Sequence, residues 1–434
     1  MKRFYAKKLN PKKVKAKMMP YNPEDMPIIY NFPPANNSDA VIAVMSFGGG
    51  LFGTLDASNK LLSGDVIDYA RRINLTPPSI YVHTVDGGAN VPVDGDGKTL
   101  ENTMDIIQII ASCPSSRLTI HLFIGSIAST FVTMMNAILT VNPTIISISW
   151  GISEYLIPSD AVEADKLFEK AMLQGINICA ASGNYGSSNG TAMNMCDFPS
   201  SSPNVIACGG TTLICPNKKY NKSTVEIAWS QGGGGISRLF KKPSFQSKLI
   251  KYKHRSTPDI AMNADPKTGV VYQVNGKQVL AGGTSIVSPS MAGYIACLNL
   301  KTSILFKLYA SAKNSFNDIK AGSNGAYRAT KDYDNCSGLG SINGVALKNN
   351  MFPANRPTNH VNNVHLINVV HLKMSLYDKV KIAEITDVKI VGSSISIDEN
   401  VLYARRIGMT KISCMKGKQQ HLFVINVVPL KMVL

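Results

Sequence analysis

The chain has 434 residues, 44% of them hydrophobic, which is enough to bury a sizeable core in two or three domains, or in one large α/β domain with an appendage. Its formal net charge is +17, and residues 1–20 hold eight Lys and Arg and no acid. This segment has no apolar core, which excludes a secretory signal of the usual kind. We predict a basic tail, which is either a solvated arm or a segment that binds nucleic acid or another anionic surface.

The eight cysteines form no C-x-x-C pair, and several lie in apolar runs such as INICAAS and NVIACGG. This pattern favours reduced, buried thiols over a disulfide framework or a zinc site. Together with the missing signal, it predicts a reduced setting, intracellular or associated with a particle.

In chain order, the first predicted elements alternate between strands and helices. The strands are VIAVMSF, SIYVHTV, LTIHLFI, TIISISW, INICAAS and NVIACGG, and the helices include DVIDYARRI, TLENTMDIIQIIASC and SDAVEADKLFEKAMLQG. The alternation predicts an α/β fold with a parallel sheet and helices on both faces. Such sheets carry their chemistry at the carboxyl ends of the strands, where SWG and SGN stand in this sequence.

Residues 118–153 contain no Asp, Glu, Lys or Arg and therefore resemble a membrane span in composition. A span needs about 20 predominantly apolar residues. Here His121, Asn136 and Pro143 interrupt the run, and it divides into a strand, the helix ASTFVTMMNAILT and a second strand. We therefore predict no membrane span.

The composition changes near residue 351. Short β-rich runs, including KVKIAEI and HLFVINVV, follow one another between polar turns. They predict a small all-β domain over residues 351–434, a sandwich that resembles bacterial Ig-like domains. We expect this domain to attach to another protein or to pack against one.

A serine stands in the stretch GGTSIVSPSMAG at 282–293, between a glycine-rich turn and the start of a helix, as a hydrolase would present a nucleophile. None of the seven histidines stands in a pattern that predicts its base. In TLENTMDIIQII, however, Glu101 and Asp105 are four residues apart and share one helix face. Like charges at this spacing repel, so the pair is either a solvated acidic face or a functional site.

The E-x-x-x-D helix, the SISWG and SGN strand ends and the G-T-S-x-x-x-P turn together resemble the sedolisin (serine-carboxyl peptidase) family. The resemblance extends over residues 21–350 and includes EIAWSQGGGGIS and STPDIAMNADPKTGVVY. It implies a subtilisin-like parallel sheet flanked by helices, and serine-type endopeptidase activity on proteins or peptides. Family members generally carry a long N-terminal propeptide, which this sequence is expected to lack or to have lost.

By this resemblance, Ser285 is the nucleophile, Glu101 the general base and Asp105 the residue that orients Glu101 and shares its proton. Two nearby carboxyls cannot easily both ionise, so such a pair can take the serine proton and return it. Sedolisins have an aspartate in the oxyanion hole where this chain has Asn184. An amide donates at any pH, so we predict activity that extends toward neutral pH. The Ser285 N–H is the expected second donor.

The resemblance also implies a substrate cleft and a calcium site. The expected cleft residues are Trp150, Gly151, Gly233 and Gly234. The expected ligands of one Ca²⁺ are Asp318, Ile319, Thr330, Asp332 and Asp334, an all-oxygen set. Two of them, Thr330 and Asp332, replace glycines of the family pattern.

The alternative is that the fold persists in a catalytically silent structural or binding protein. The Asn184 change permits this, whereas the presence of Glu101, Asp105 and Ser285 argues against it. A nucleic-acid-binding role rests on charge alone, since the chain has no base-reading motif.

Overall fold

A computed structural model of the chain describes residues 20–35, 37–300, 302–311 and 313–352 with their side chains, and the backbone of eight further strands. The structure divides into two units, Met1–Pro353 and Ala354–Leu434, which are treated separately below.

The elements are as follows. The strands of the first unit are β1 (Ala6–Lys8), β2 (Val41–Phe47), β3 (Ser79–Val85), β4 (Thr119–Gly125), β5 (Ile145–Ile148), β6 (Ile152–Ser153), β7 (Asn177–Ala181), β8 (Asp197–Phe198), β9 (Ile206–Ile214), β10 (Val225–Ala228), β11 (Gly235–Lys241), β12 (His254–Thr257), β13 (Ile260–Asn263), β14 (Val270–Val274), β15 (Lys277–Ala281), β16 (Phe316–Asn317) and β17 (Ser341–Ile342). The helices are α1 (Asp25–Ile29), α2 (Asp65–Arg72), α3 (Gly97–Ser112), α4 (Phe131–Ile138), α5 (Pro158–Leu173), α6 (Val287–Leu298), α7 (Leu305–Ala310) and α8 (Gly344–Met351). The strands of the second unit are β18 (Leu366–Ser375), β19 (Lys379–Lys381), β20 (Thr386–Val391), β21 (Ile395–Asp398), β22 (Val401–Ala404), β23 (Gly408–Lys416) and β24 (Gln419–Val428).

The central sheet of the first unit has eight strands in the order β10-β9-β7-β5-β2-β4-β3, with β13 also paired to β9. Every neighbouring pair is parallel except β9 with β10. Its inner strands are almost wholly buried and consist of near-continuous apolar runs, because helices cover both faces. The predicted α/β fold with a parallel sheet is therefore confirmed.

Helices divide between the two faces of this sheet. One face packs against α3 and α6, whose apolar side chains join one core cluster with those of β2 and β4. The opposite face packs against α4 and α5, which form a second cluster with Phe47 and Ile148. Strand β2 lies between β4 and β5 in the sheet. The chain passes from β4 on one side of β2 to β5 on the other side. Ligands of such sheets bind at the carboxyl ends of strands where the strand order reverses in this way.

The uncharged segment 118–153 forms β4, α4 and β5, so its predicted division into strand, helix and strand is confirmed. No helix among the described residues is long and apolar enough to span a membrane. Seven cysteine side chains are described, and all seven are buried free thiols. The eighth, Cys414, lies on β23, where only the backbone is described.

Two predicted segments lie largely outside the described residues. Within the basic tail, Ala6–Lys8 forms β1, which pairs antiparallel with β15, while residues 1–5 and 9–19 are outside the described part. The second unit contains a sheet ordered β18-β24-β23-β20 and another ordered β19-β22-β21. Its Ig-like character and attachment role depend on side chains outside the described residues and stay predictions.

A buried ion pair lies between β12 and β13. Arg255 donates from Nη1 and Nη2 to the two carboxylate oxygens of Asp259, both at 2.6 Å, and both side chains are fully buried. Asp259 also accepts the Ala207 N–H at 2.7 Å, which connects the pair to β9. The geometry is bidentate, which is the favourable form of such a pair.

Removing only the cation should therefore be strongly destabilising, because it leaves a buried carboxylate without its partner. We expect Arg255→Met to lower the free energy of unfolding by about 3–5 kcal/mol, measured by denaturant titration. As a control, Arg71→Met removes the exposed Arg71–Asp68 pair and should change stability by about 1 kcal/mol at most. Equal losses in the two variants would contradict the importance of the buried pair.

Candidate active site

The candidate nucleophile Ser285 lies in the turn between β15 and α6 and is only 1% exposed. Gly283 has φ of +125°, a conformation that strains any residue with a Cβ. Its N–H donates to the Ala264 carbonyl at 2.6 Å. A Cβ on Gly282 would lie 2.5 Å from the backbone nitrogen of Pro266. The two glycines therefore make the tight turn that presents Ser285 at the start of a helix.

The two carboxyls of the E-x-x-x-D motif lie one turn apart on α3, which begins where the Asp96 side chain accepts the Thr99 N–H at 3.2 Å. Glu101 is 1% exposed and Asp105 is fully buried, so the pair is not a solvated acidic face. Burial raises the pKa of both carboxyls well above the ordinary range, and the neighbouring charge of Asp105 raises the pKa of Glu101 further.

One oxygen of each carboxyl has no hydrogen-bond partner among the described residues, namely Glu101 Oε1 and Asp105 Oδ2. Buried polar atoms in native proteins are almost always hydrogen-bonded. A proton held by the pair would supply a donor, and mutual repulsion favours the singly protonated form over the doubly ionised one. The arrangement is that of a coupled acid and base.

Close packing of α3 against α6 brings the pair to Ser285. A Cβ on Gly293 of α6 would lie 2.4 Å from the Cβ of Ser112 on α3, so the glycine permits this approach. The Ser285 hydroxyl donates to the Ser149 carbonyl oxygen at 3.4 Å. It is also near enough to Glu101 that its hydrogen bond lowers the pKa of that carboxyl, against the larger effect of burial. The Ser285 hydroxyl therefore lies within reach of the carboxyl pair.

Sequence reasoning missed Ser149, although the residue stands in the SISWG motif. It follows β5, and its Oγ donates to Asp105 Oδ1 at 2.7 Å. The same Oγ lies 3.3 Å from the carbonyl oxygen of Ser285. The position at a strand end was the available signal, but it pointed equally to Trp150 and Gly151.

Asn184 follows β7 and faces the nucleophile turn. Its Oδ1 accepts the Thr284 N–H at 2.8 Å and the Thr284 hydroxyl at 2.9 Å. These donors fix the amide orientation, because only the oxygen can accept them. The Nδ2 is then directed over Gly283, whose ideal Cβ position is 3.0 Å away. Asn184 thus presents an N–H donor beside Ser285, and Thr284 is a second residue that the sequence analysis missed.

Comparison with known proteins agrees with this fold. A model of the Subtilase family matches residues 101–305, which contain the carboxyl pair, Asn184 and Ser285. Among solved structures, Pseudomonas sedolisin (serine-carboxyl proteinase), complexed with two molecules of pseudo-iodotyrostatin, superposes with a TM-score of 0.65. The superposition covers 77% of this chain and 98% of that one, at 25% identity.

Curated relatives are similar in sequence as well. Kumamolisin from Bacillus sp. (strain MN-32) is 30% identical over 370 residues, which cover 77% of this chain. Sedolisin from Pseudomonas sp. (strain 101) is 30% identical over 229 residues, which cover 45% of this chain. The chain is similar to the sedolisin family in both sequence and fold. It spans 64% of the length of kumamolisin and 38% of the length of sedolisin, so it matches only part of these relatives. The predicted resemblance to the sedolisin family and the subtilisin-like fold are confirmed.

The cleft residues expected from the sedolisin resemblance lie at the carboxyl edge of the sheet. Trp150 is 4% exposed, and its ring packs edge-on against Phe47 with the centroids 5.8 Å apart. Gly151, the next residue, is half-buried. The Gly233 N–H donates to the Gly183 carbonyl at 2.7 Å, and a Cβ on Gly233 would lie 2.0 Å from the Ser182 carbonyl oxygen.

Gly234 has a similar environment, since a Cβ there would lie 2.3 Å from the Asn335 carbonyl oxygen. Both glycines thus allow close backbone packing, Gly233 against the end of β7 and Gly234 against Asn335. Substrate binding by these four residues stays a prediction.

The five predicted calcium ligands gather in one region of the sedolisin-like unit. Asp318 Oδ1 accepts the Asp332 N–H at 3.1 Å, and Asp334 Oδ2 accepts the Thr330 N–H at 2.9 Å. Ile319 is adjacent to Asp318 and 1% exposed. Two carboxylates and several carbonyls therefore lie in neighbouring loops, which is the oxygen-only donor set that Ca²⁺ prefers.

Lysines also contact these loops. Lys313 pairs with Asp332 at 2.5 Å, and Lys320 lies 3.6 Å from Asp318 Oδ2. Only the main-chain oxygen of Asp332 is an expected calcium ligand. The ion pair between Lys313 and the Asp332 side chain therefore leaves that oxygen available. Among the described residues there is no group of three or more His, Cys, Asp or Glu placed to hold a metal, and a site with two carboxylates would depend on the carbonyls.

Proposed function

We propose that this sedolisin-like chain is a serine-carboxyl endopeptidase that hydrolyses peptide bonds in protein or peptide substrates through Ser285, Glu101 and Asp105. The observation that carries the proposal is the buried carboxyl pair beside Ser285, because its raised pKa values suit proton transfer and not surface solvation.

In the first step, the Ser285 Oγ attacks the carbonyl carbon of the scissile bond while its proton passes to Glu101. The carbonyl electron pair moves to the oxygen, which becomes an oxyanion. Asn184 Nδ2 and the Ser285 N–H are the proposed donors to that oxygen. The pair begins this step with one shared proton, and as Glu101 accepts the serine proton the proton that the pair already held passes to Asp105.

In the second step, the tetrahedral intermediate collapses and the C–N bond breaks. The leaving amine takes the proton from Glu101, and an acyl-enzyme ester remains on Ser285. A water molecule then attacks the ester, gives its proton to Glu101 and releases the acid product as Ser285 is reprotonated. The pair is restored to its starting charge.

A serine-directed electrophilic probe, with the modified residue located by peptide mass spectrometry, tests the proposal. We expect stoichiometric labelling of the wild type at Ser285 and none of Ser285→Ala. Ser290→Ala is a matched control, because Ser290 is buried on α6, just after the nucleophile turn, and among the described residues its hydroxyl bonds only to the Ile286 carbonyl, at 2.7 Å. A folded wild type that is neither labelled nor able to cleave peptides would instead support the silent structural alternative.

Calcium binding is a separate proposal. The carboxylates of Asp318 and Asp334 and the carbonyls of Ile319, Thr330 and Asp332 would hold one Ca²⁺. Because such an ion binds only the folded chain, it would stabilise the fold by about 2.7 kcal/mol at a concentration of 100 Kd.

We therefore expect a chelator to lower the Tm of the wild type, as measured by calorimetry, and readdition of Ca²⁺ to restore it. Asp318→Ala should abolish this response. Asp332→Ala should retain it, since it removes a side chain that pairs with Lys313 and keeps the carbonyl. An unchanged Tm after verified removal of the metal would contradict the site.

The remaining proposals concern the rest of the chain. Binding of an anionic surface by the basic tail and attachment through the second unit are supported only by sequence. A reduced setting is likewise proposed from the pattern of the cysteines alone.

A further inference from the structure

Ser149 occupies a central position that the proposed mechanism does not use. Its side chain is 6% exposed and lies at the end of β5, between α3 and the nucleophile turn. Its Oγ is 2.7 Å from Asp105 Oδ1 and 3.3 Å from the Ser285 carbonyl oxygen. Its own carbonyl accepts the Ser285 hydroxyl at 3.4 Å. Ser149 therefore contacts both the carboxyl pair and the nucleophile.

The Ser149 hydroxyl has one proton and two acceptors within reach, so its orientation depends on the charge of Asp105. When Asp105 Oδ1 is ionised, the hydroxyl donates to it, which is the shorter contact. When Asp105 Oδ1 carries the proton, the hydroxyl can accept that proton's hydrogen bond and donate to the Ser285 carbonyl instead. In each charge state of Asp105 the Ser149 hydroxyl thus has a donor or acceptor partner on Asp105 Oδ1.

We propose that Ser149 is a positioning residue whose hydroxyl rotates with the charge of Asp105. In the resting site its hydrogen bond stabilises the ionised carboxyl of Asp105. When a proton reaches Asp105, the hydroxyl turns to the Ser285 carbonyl and holds the backbone of the nucleophile. The inference rests on the proposed function. In this inference Ser149 does not contact the substrate.

Other ionisable groups near the pair do not supply this effect. From β14, Tyr272 interacts with the charges of Asp105 and Glu101, and its hydroxyl donates to the Gln108 side chain at 2.7 Å. Burial first, and then these neighbouring charges, raise the pKa of Tyr272 well above its usual value, so it stays neutral. The hydrogen bonds from the two serines, Ser149 and Ser285, are what lower the pKa of Glu101, and Ser149 alone does so for Asp105.

Loss of this donor should raise the pKa at which the pair first ionises, because a hydrogen bond to the charged form favours that form. We expect Ser149→Ala to shift the acid limb of the kcat–pH profile upward by about one pH unit or more. Ser149→Thr keeps the hydroxyl and should retain the wild-type limb. Ser149→Cys keeps the volume with a weaker donor and should give an intermediate shift.

Ser147→Ala is the matched control. Ser147 lies two residues earlier on the same strand, is buried, and bonds to the Ser288 hydroxyl at 3.1 Å and not to a carboxyl. It should lower stability without moving the acid limb. A limb at the wild-type position in Ser149→Ala, or an equal shift in Ser147→Ala, would overturn the inference whatever the loss in kcat.

A second measurement separates this inference from the proposed function. The folded pKa values of the pair are raised, so their contribution to stability is complete below the unfolded values and is lost as the pH rises through the folded values. In Ser149→Ala the folded values are higher still, so the decline of Tm should continue to higher pH than in the wild type. An inactive wild type would refute the peptidase proposal, and the Tm–pH curves would still decide the role of Ser149. Superimposable Tm–pH curves for the wild type and Ser149→Ala would refute the proposed role of Ser149.

Discussion

Single replacements of Ser285, Glu101 and Asp105 should each reduce kcat by a factor on the order of 10⁴ to 10⁶, and combining them should add little. In the proposed mechanism the three residues act as one unit, since Ser285 would have no base without Glu101 and the proton on Glu101 would be shared with Asp105. Suitable variants are Ser285→Ala, Glu101→Gln and Asp105→Asn. The amides preserve the volume of the two side chains on α3, whose residues from Thr99 to Ser112 are all buried.

The measurement is kcat on one peptide for the three single variants, the three doubles and the triple. Losses that multiply from single to double to triple would contradict a shared mechanism, as would full cleavage by Ser285→Ala. Stability provides a control, because Glu101→Gln and Asp105→Asn remove a carboxyl that is unfavourable to ionise in the folded state. Their Tm at neutral pH should therefore equal or exceed that of the wild type, which distinguishes lost chemistry from lost folding.

Local sequence patterns predicted the parallel sheet because its strands are buried on both faces. VIAVMSF coincides with β2, where a continuous apolar run defines the strand. SIYVHTV coincides with β3, whose first residues alternate between buried and partly exposed. The strands between residues 225 and 281 were not predicted. They are short, and several pair with partners distant in sequence, as β13 does with β9, so no local period defines them.

In the candidate site, too, local patterns predicted some features and missed others. The i, i+4 spacing placed Glu101 and Asp105 on one helix face, but it could not show that this face is buried. Burial of this face depends on the close approach of α6, which Gly293 permits. In the sequence, only the sedolisin resemblance implied that approach. Ser149 and Thr284 were missed because a hydroxyl in a strand end or turn has no distinctive pattern. Their importance comes from contacts among three separate elements of the chain.

The second large effect concerns Asn184 and pH. With its Oδ1 held by Thr284, the Nδ2 donates in every protonation state of the site. An aspartate in this position would bond to Thr284 with one oxygen and would need a proton on the other to donate. Above its pKa it would instead present a negative charge to the developing oxyanion. We therefore expect Asn184→Ala to reduce kcat by a factor on the order of 10² to 10³, and Asn184→Asp to retain activity only on the acid side.

The carboxyl pair sets the remaining limits of the profile. Glu101 can act as a base only when the pair holds one proton, so activity should rise as the first proton leaves and fall as the second leaves. Burial raises both pKa values, and repulsion between the two charges raises the second step most. The singly protonated form therefore persists above the pH at which ordinary carboxyls, with pKa of about 4, have ionised. With Asn184 as a permanent donor, we expect wild-type activity to extend toward neutral pH.

Profiles of kcat against pH for the wild type and Asn184→Asp, measured on one peptide, check this expectation. The acid limbs of the two should coincide, because the pair is unchanged, and only Asn184→Asp should lose activity early as the pH rises. Thr284→Ser is a suitable control, since it keeps both donors to Asn184 Oδ1 and should follow the wild type. Superimposable profiles for the wild type and Asn184→Asp, or a wild type that is inactive above about pH 5, would show that Asn184 does not set the working range.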